Sequence, residues 1–233
     1  MTSKVRVAAL AWMLFGWAGA ESMAATLDAL ATDGLYTWRV AAVDEAPCWC
    51  CFDWKRGSNS PRACDLDGRN AGYGVSDTFL ATTEEVQIYA LIEAGSAERI
   101  RVLSPQCPVT SRHDVIDLGL VDVGESLAWL ESRVASSEAD SMDVLAAIAM
   151  HEGAAPGRFL LDTAENGRTI KLRKDAVFAI SLLPESQSVN ALLGLLEDRQ
   201  MHREIREQAL FWLVQSDSEQ AYAYLDRLFA RRQ

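Results

Sequence analysis

The sequence predicts an α+β protein. A small antiparallel β region stapled by disulfides should precede an α-solenoid of about three stacked helix pairs. Three observations carry that expectation. All five cysteines (Cys48, Cys50, Cys51, Cys64 and Cys107) lie in the first half of the chain. Near Glu125 the hydrophobic period changes from about two residues to between three and four. Beyond that point the chain repeats itself, Ala176 falling over Ala209 at an offset of 33 residues.

The elements follow in order. Lys4 and Arg6 open the chain, Val7 to Trp17 is an uncharged apolar run, and Ala18-Gly19-Ala20 is an A-x-A cleavage signal. Residues 1–20 thus have the pattern of a secretory signal peptide, with Ser22-Met23-Ala24 offering a second cleavage site after residue 24. The apolar run is shorter than the ~20 residues that span a bilayer. The expectation is a periplasmic or secreted protein with no membrane span after cleavage. A Cys-containing β-rich domain (25–122) and a helical repeat domain (123–233) follow.

Leu35–Val43 is rich in β-formers and reads as a strand. Residues 46–74 carry Cys, Gly, Pro, Asn and Asp throughout and read as one long loop ordered by disulfides. Val86–Ile92 and Arg99–Leu103 flank the turn residues Ala94-Gly95-Ser96-Ala97, which predicts a β-hairpin over Glu85–Ser104. Val115–Leu120 adds a short strand. Helices are expected at Ser126–Val134 and Met142–Glu152, at Gly157–Ala164 and Leu172–Leu183, and at Val189–Glu197 and Arg203–Val214. A last helix, Glu219–Ala230, stands alone. Gly153, Gly167 and Pro184 punctuate the boundaries.

Charge bounds the function. The chain carries 33 acidic against 22 basic residues, a net −11. Cleavage after Ala20 removes Lys4 and Arg6, leaving 20 basic residues and a net −13. A nucleic-acid phosphate binder needs a basic stripe, so nucleic acid is excluded as a partner of the whole molecule. Three histidines make a multi-His metal centre hard to build.

Clustered cysteines in an exported chain read first as disulfides. Adjacent residues of an extended chain point to opposite sides, so Cys50 and Cys51 should not pair with each other. The expected bridges take one of them to Cys64 and the other to Cys107, leaving Cys48 as the free thiol. Two other readings use the Cys48-x-x-Cys51 spacing. A zinc site would take Cys48, Cys51, Cys64 and Cys107, but no second C-x-x-C or H-x-x-x-H accompanies the pair. A thiol-redox site would use Cys48, Cys50 and Cys51, but Pro47 before and Phe52-Asp53-Trp54 after do not open a helix, whose N-terminus lowers a redox thiol's pKa.

The repeat is legible in the letters. Leu172-Arg173-Lys174-Asp175-Ala176-Val177-Phe178-Ala179-Ile180 aligns with Ile205-Arg206-Glu207-Gln208-Ala209-Leu210-Phe211-Trp212-Leu213, and the same offset takes Leu160 to Leu193. Val144–Ile148 aligns with Ala176–Ile180 at an offset of 32. An αα-hairpin cannot bury its apolar face alone, and stacked neighbours make one continuous core. The aliphatic-Arg-x-x-Ala-x-x-x-aliphatic stretches resemble the second helix of a HEAT repeat. Leu192-Leu193-Gly194-Leu195-Leu196-Glu197-Asp198 resembles the first helix and its acidic turn. The resemblance covers residues 125–230. The layout is similar to exported bacterial HEAT-repeat proteins with a Cys-containing N-terminal β region. It implies a HEAT-like α-solenoid and a scaffold or protein–protein interaction role, with no catalytic motif to carry over.

No catalytic residue, metal set or cofactor motif is expected. Asp65-Leu66-Asp67-Gly68-Arg69-Asn70 begins like a calcium loop but places Arg69 where a ligand belongs and lacks the closing Glu. His113 lies in a loop. His151 ends a helix, where its charge would complement the dipole. His202 lies solvated in a repeat turn. Trp129, Phe178, Phe211 and Trp212 occupy core positions. Lys171, Arg173, Lys174, Arg199, Arg203 and Arg206 fall on two successive repeat turns. They form a candidate edge for a protein or peptide partner of acidic character.

Overall fold

The computed structural model describes residues 27, 30, 32–53, 60–68, 73–76, 82–136 and 140–230 of the chain. The signal segment, Trp54 and residues 69–72 lie outside the described residues. Among the described residues no helix is long and apolar enough to cross a membrane. The structure is a mixed α+β arrangement of several small sheets and seven helices among the described residues.

The strands are β1 (Gly34–Ala41), β2 (Cys48–Asp53), β3 (Ser60–Arg62), β4 (Cys64–Asp65), β5 (Tyr73–Ser76), β6 (Glu85–Glu93), β7 (Ser96–Leu103), β8 (Val109–Thr110) and β9 (Val115–Leu120). The largest sheet has the order β7-β6-β1-β9. Trp38 of β1 lies opposite Ile88 of β6, which lies opposite Val102 of β7, and all three are fully buried. The β6–β7 hairpin turns through Ala94 and Gly95 at φ 51° and 71°. Two successive left-handed residues make the type I′ turn that matches strand twist, and Gly95 adopts it without a Cβ clash.

Two expectations need correction. β9 runs parallel to β1, so the sheet is mixed rather than antiparallel. The chain leaves β7 for Cys107 and β8, then reaches the far side of β1 instead of folding straight back. Residues 46–74 are not one loop. β2 is the centre strand of a second, antiparallel sheet of order β3-β2-β5, and β4 pairs with β8. Cys48-Trp49-Cys50-Cys51-Phe52 is buried throughout. A strand buried on both faces has no alternation to read, and the Gly, Pro and Asn around it hide the run.

The helices are α1 (Val123–Ser136), α2 (Ser141–Ala149), α3 (Ala155–Asn166), α4 (Ile170–Ile180), α5 (Glu185–Glu197), α6 (Arg203–Gln215) and α7 (Glu219–Ala230). Their starts have local causes. The Asp122 carboxylate accepts from the Gly124 and Glu125 amides ahead of α1, and Thr169 Oγ1 accepts from the Leu172 amide at 3.1 Å as the N-cap of α4. His202 is exposed in its turn, and its Nδ1 accepts from the Glu204 amide, capping α6. At Gly167, after α3, a Cβ would stand 2.5 Å from the Thr163 carbonyl, which only glycine avoids.

α3 packs on α4 and α5 on α6, and α2, α4 and α6 touch in series. α2 also rests on β7 and α1 on β1. Trp38 and Trp129 meet edge to face across that last junction at 5.3 Å. One cluster of buried apolar side chains runs from β1 to α7, so the β region and the helices share a core.

The repeated letters occupy equivalent places. Leu172 and Ile205, Ala176 and Ala209, and Ile180 and Leu213 are all buried. The first helices follow a different offset. Leu160 is buried and so is Leu192, whereas Leu193 is half-buried, so α3 and α5 align at 32 residues rather than 33. The turn before α6 (198–202) is two residues longer than the turn before α4 (167–169).

Candidate functional site

Three constellations bring polar or reactive groups together. The first is a sulfur cluster on β2. Alternation along the strand turns Cys50 and Cys51 to opposite sides. Cys50 is bonded to Cys107 and Cys51 to Cys64, with Cα–Cα separations of 5.6 and 5.3 Å. Cys48 keeps its thiol and is buried. Two residues before Cys50, it shares that face, and its Sγ lies 3.6 Å from Cys50 Sγ. The sulfurs of Cys48, Cys50 and Cys107 all lie within 4.8 Å of one another. Burial pushes the Cys48 thiol above its ordinary pKa, and a hydrogen bond with Ser104 opposes that rise.

This geometry redraws the C-x-x-C readings. Cys48 and Cys51 point to opposite faces, and Cys51 is committed to Cys64. Of the zinc set Cys48, Cys51, Cys64 and Cys107, one member carries a thiol and three are in bridges.

The second constellation was not foreseen. His151 is fully buried just past α2. Its Nε2 lies 2.8 Å from Ser126 Oγ and its Nδ1 2.7 Å from the Ala147 carbonyl. Since the carbonyl can only accept, Nδ1 carries the proton and Nε2 accepts from Ser126. Trp38 Nε1 donates to the same Ser126 oxygen at 2.8 Å. A Ser–His contact of this length is what an activated nucleophile needs. Here both groups are sealed under Trp38 and every polar atom is satisfied, so the network locks α1, α2 and β1 together. Burial drives His151 from 6.5 down to about 4. The ring is therefore neutral, and the expected charge–dipole role is corrected: it caps Ala147 by a neutral hydrogen bond. A lone His near a helix end carries no sequence signal for this, because Ser126 comes from α1 and the Trp38 that covers it from β1.

The third constellation is the basic edge. Lys171 Nζ binds Asp175 and Ser141, at 2.7 and 2.8 Å. Arg173 Nε donates to the Ala164 carbonyl at 2.9 Å, and Arg206 Nε donates to the Leu196 carbonyl at 3.0 Å. These two arginines thus close the C-terminal ends of α3 and α5 from the following helix, in equivalent places of the repeat. Lys174 pairs with Glu204 and Arg203 with Glu207. Arg199 is exposed. Arg199, Arg203 and Arg206 rim a groove of about 610 Å³ whose floor includes Leu196, Leu210 and Tyr224.

Other candidates resolve simply. Asp67 accepts from Ser111 Oγ at 2.9 Å and from the Arg112 amide at 2.6 Å, and His113 Nε2 stands 3.7 Å from the same carboxylate. Burial opposes its ionisation, but those donors win and hold its carboxyl below the usual range. Its place in a calcium loop is taken by a loop staple that also accounts for His113. Phe211 is 51% exposed, against its expected core position, and meets Trp212 edge to face at 5.0 Å. It lies on the face of α6 that the neighbouring helices leave uncovered. Comparison of the chain with protein-family models, with curated proteins and with solved structures finds no match.

Proposed function

We propose that this chain is an exported, non-enzymatic interaction module whose HEAT-like helical repeats dock an acidic protein or peptide segment. The serial contact of α2, α4 and α6, with the α3–α4 and α5–α6 pairs side by side, supports an α-solenoid reading. So do the equivalent Arg173 and Arg206 locks. Two disulfides support residence in an oxidising compartment such as the periplasm.

The observation that carries the docking surface is the groove beside α7. Its apolar floor, with Arg199 and Arg203 exposed on the rim beside Glu197 and Glu207, the latter paired with Arg203, suits a segment that alternates acidic and apolar residues. Arg173 and Arg206 are spent on carbonyls and act as structural members of this edge. The test is anisotropy of a labelled Asp/Leu-alternating peptide. Wild type should bind, and the double variant Arg199→Glu with Arg203→Glu should bind roughly tenfold less tightly while keeping its circular dichroism. Equal binding by the two proteins, or none by wild type, refutes the groove.

A further inference from the structure

We propose that Cys48, Cys50 and Cys107 form a closed thiol–disulfide exchange site, in which Cys48 displaces Cys50 from Cys107 and the free thiol moves along β2. The argument rests on placement. Cys48 and Cys50 are two residues apart on one strand, so both present sulfur to the same side. Cys107 faces them from the turn after β7. Its Sγ lies 3.1 Å from the carbonyl of Trp49, the residue between the two. Each of them therefore has the same partner within reach, and the three sulfurs lie within 4.8 Å of one another.

A bridge between Cys48 and Cys50 themselves is the poorer product. Residues i and i+2 of a strand are about 6.6 Å apart at Cα, near the upper end of the disulfide range of about 4.4–6.8 Å. Attack on Cys107 avoids that geometry. Cys48 contacts Cys50 at 3.6 Å, and the sulfurs form a triangle rather than a line, so attack follows rotation of the Cys48 side chain about Cα–Cβ.

The step balances internally. Cys48 loses its proton and its thiolate forms a bond to Cys107 Sγ. The Cys50–Cys107 bond breaks, and its electron pair leaves on Cys50 Sγ, which takes up the proton. One disulfide is consumed and one is made, with no net oxidation and no external thiol. Cys51 and Cys64 lie on the other side of β2 and take no part. Burial of Cys48 keeps the thiolate scarce, so exchange is slow near neutrality and quickens as pH rises. The result is a staple with two interchangeable forms, Cys50–Cys107 and Cys48–Cys107, joining β2 to the turn after β7.

Mass mapping of the intact oxidised protein tests this. The native protein is held at about pH 9, above the ~8.5 of an ordinary thiol. It is then quenched in acid, unfolded and alkylated. The label should appear on Cys50 as well as Cys48, a Cys48–Cys107 cross-linked peptide should appear, and Cys51–Cys64 should persist. Label confined to Cys48 overturns the proposal. So does label spreading to Cys51 and Cys64, which would mean general scrambling. Cys50→Ser gives a second reading that needs no incubation. It should mature with a Cys48–Cys107 bridge, and a folded variant with two free thiols overturns the proposal.

Discussion

Lowering the pH should destabilise this protein through His151, and the size of the effect follows from its surroundings. The folded state holds the imidazole neutral, with its pKa driven by burial from 6.5 to about 4. The unfolded chain returns it to the ordinary value. Between those two values the unfolded state binds the extra proton and the folded state does not, so stability falls as pH falls. The contribution is intact above about pH 6.5, is reduced by about 2 kcal/mol at pH 5, and by about 3 kcal/mol at pH 4. For a domain whose whole stability is about 5–15 kcal/mol, that is a large share. Protonation also removes the acceptor that Ser126 uses, leaving its hydroxyl without a partner beside Trp38.

The assay is urea unfolding of the oxidised protein at about pH 7.5 and about pH 5, for wild type and for His151→Gln. Carboxylates titrate alike in both proteins and cancel in the comparison. Wild type should lose about 2 kcal/mol more than the variant over that interval. The variant should be weaker at the higher pH, because an amide fits the Ser126–Ala147 pocket less well. Equal acid losses in the two proteins would refute the neutral, buried assignment of His151.

Three other outcomes follow from the geometry. Replacing Cys50 and Cys107 together by Ala should lower stability by about 4 kcal/mol in the chain-entropy account, and replacing Cys51 and Cys64 by about 3 kcal/mol, because the closed loops differ in length; denaturant midpoints of the two double variants check the order. Arg206→Met should cost about 1–2 kcal/mol by freeing the Leu196 carbonyl, whereas Arg199→Met should leave the thermal midpoint unchanged. Asp143 forms an ion pair with the buried Arg101, which also lies over the Tyr73 ring. Burial raises the Asp143 pKa and Arg101 opposes that rise. Asp143→Leu leaves the buried guanidinium with the Ile100 carbonyl but no counter-charge, and should cost about 3 kcal/mol, read by the same urea titration.

Much of this architecture was legible in the letters because it depends on neighbours in the chain. Periods of two and near four marked β1, the β6–β7 hairpin and the helices. Ala94-Gly95 named its own turn, and the Arg-x-x-Ala register located α4 and α6. β2 was not legible, since a strand buried on both faces shows no alternation. The first-helix offset was misread by one residue because Leu192 and Leu193 are the same letter, and only packing tells which of them is inside.

The chain by itself determined β1, the β6–β7 hairpin, β9 and the helices, and that five cysteines sit together before those helices. The tertiary structure decided what those elements bring face to face. It decided that β9 approaches β1 in parallel, that Cys107 meets both Cys48 and Cys50, and that Arg173 and Arg206 close helix ends. It also decided that His151 is sealed beneath Trp38 and Ser126. The physical reason is the range of the forces involved. Backbone preference and hydrophobic period act over a few residues and are written in the local sequence. A pKa, a disulfide partner or a buried hydrogen bond depends on groups that are tens of residues away in the chain and about 3 Å away in space.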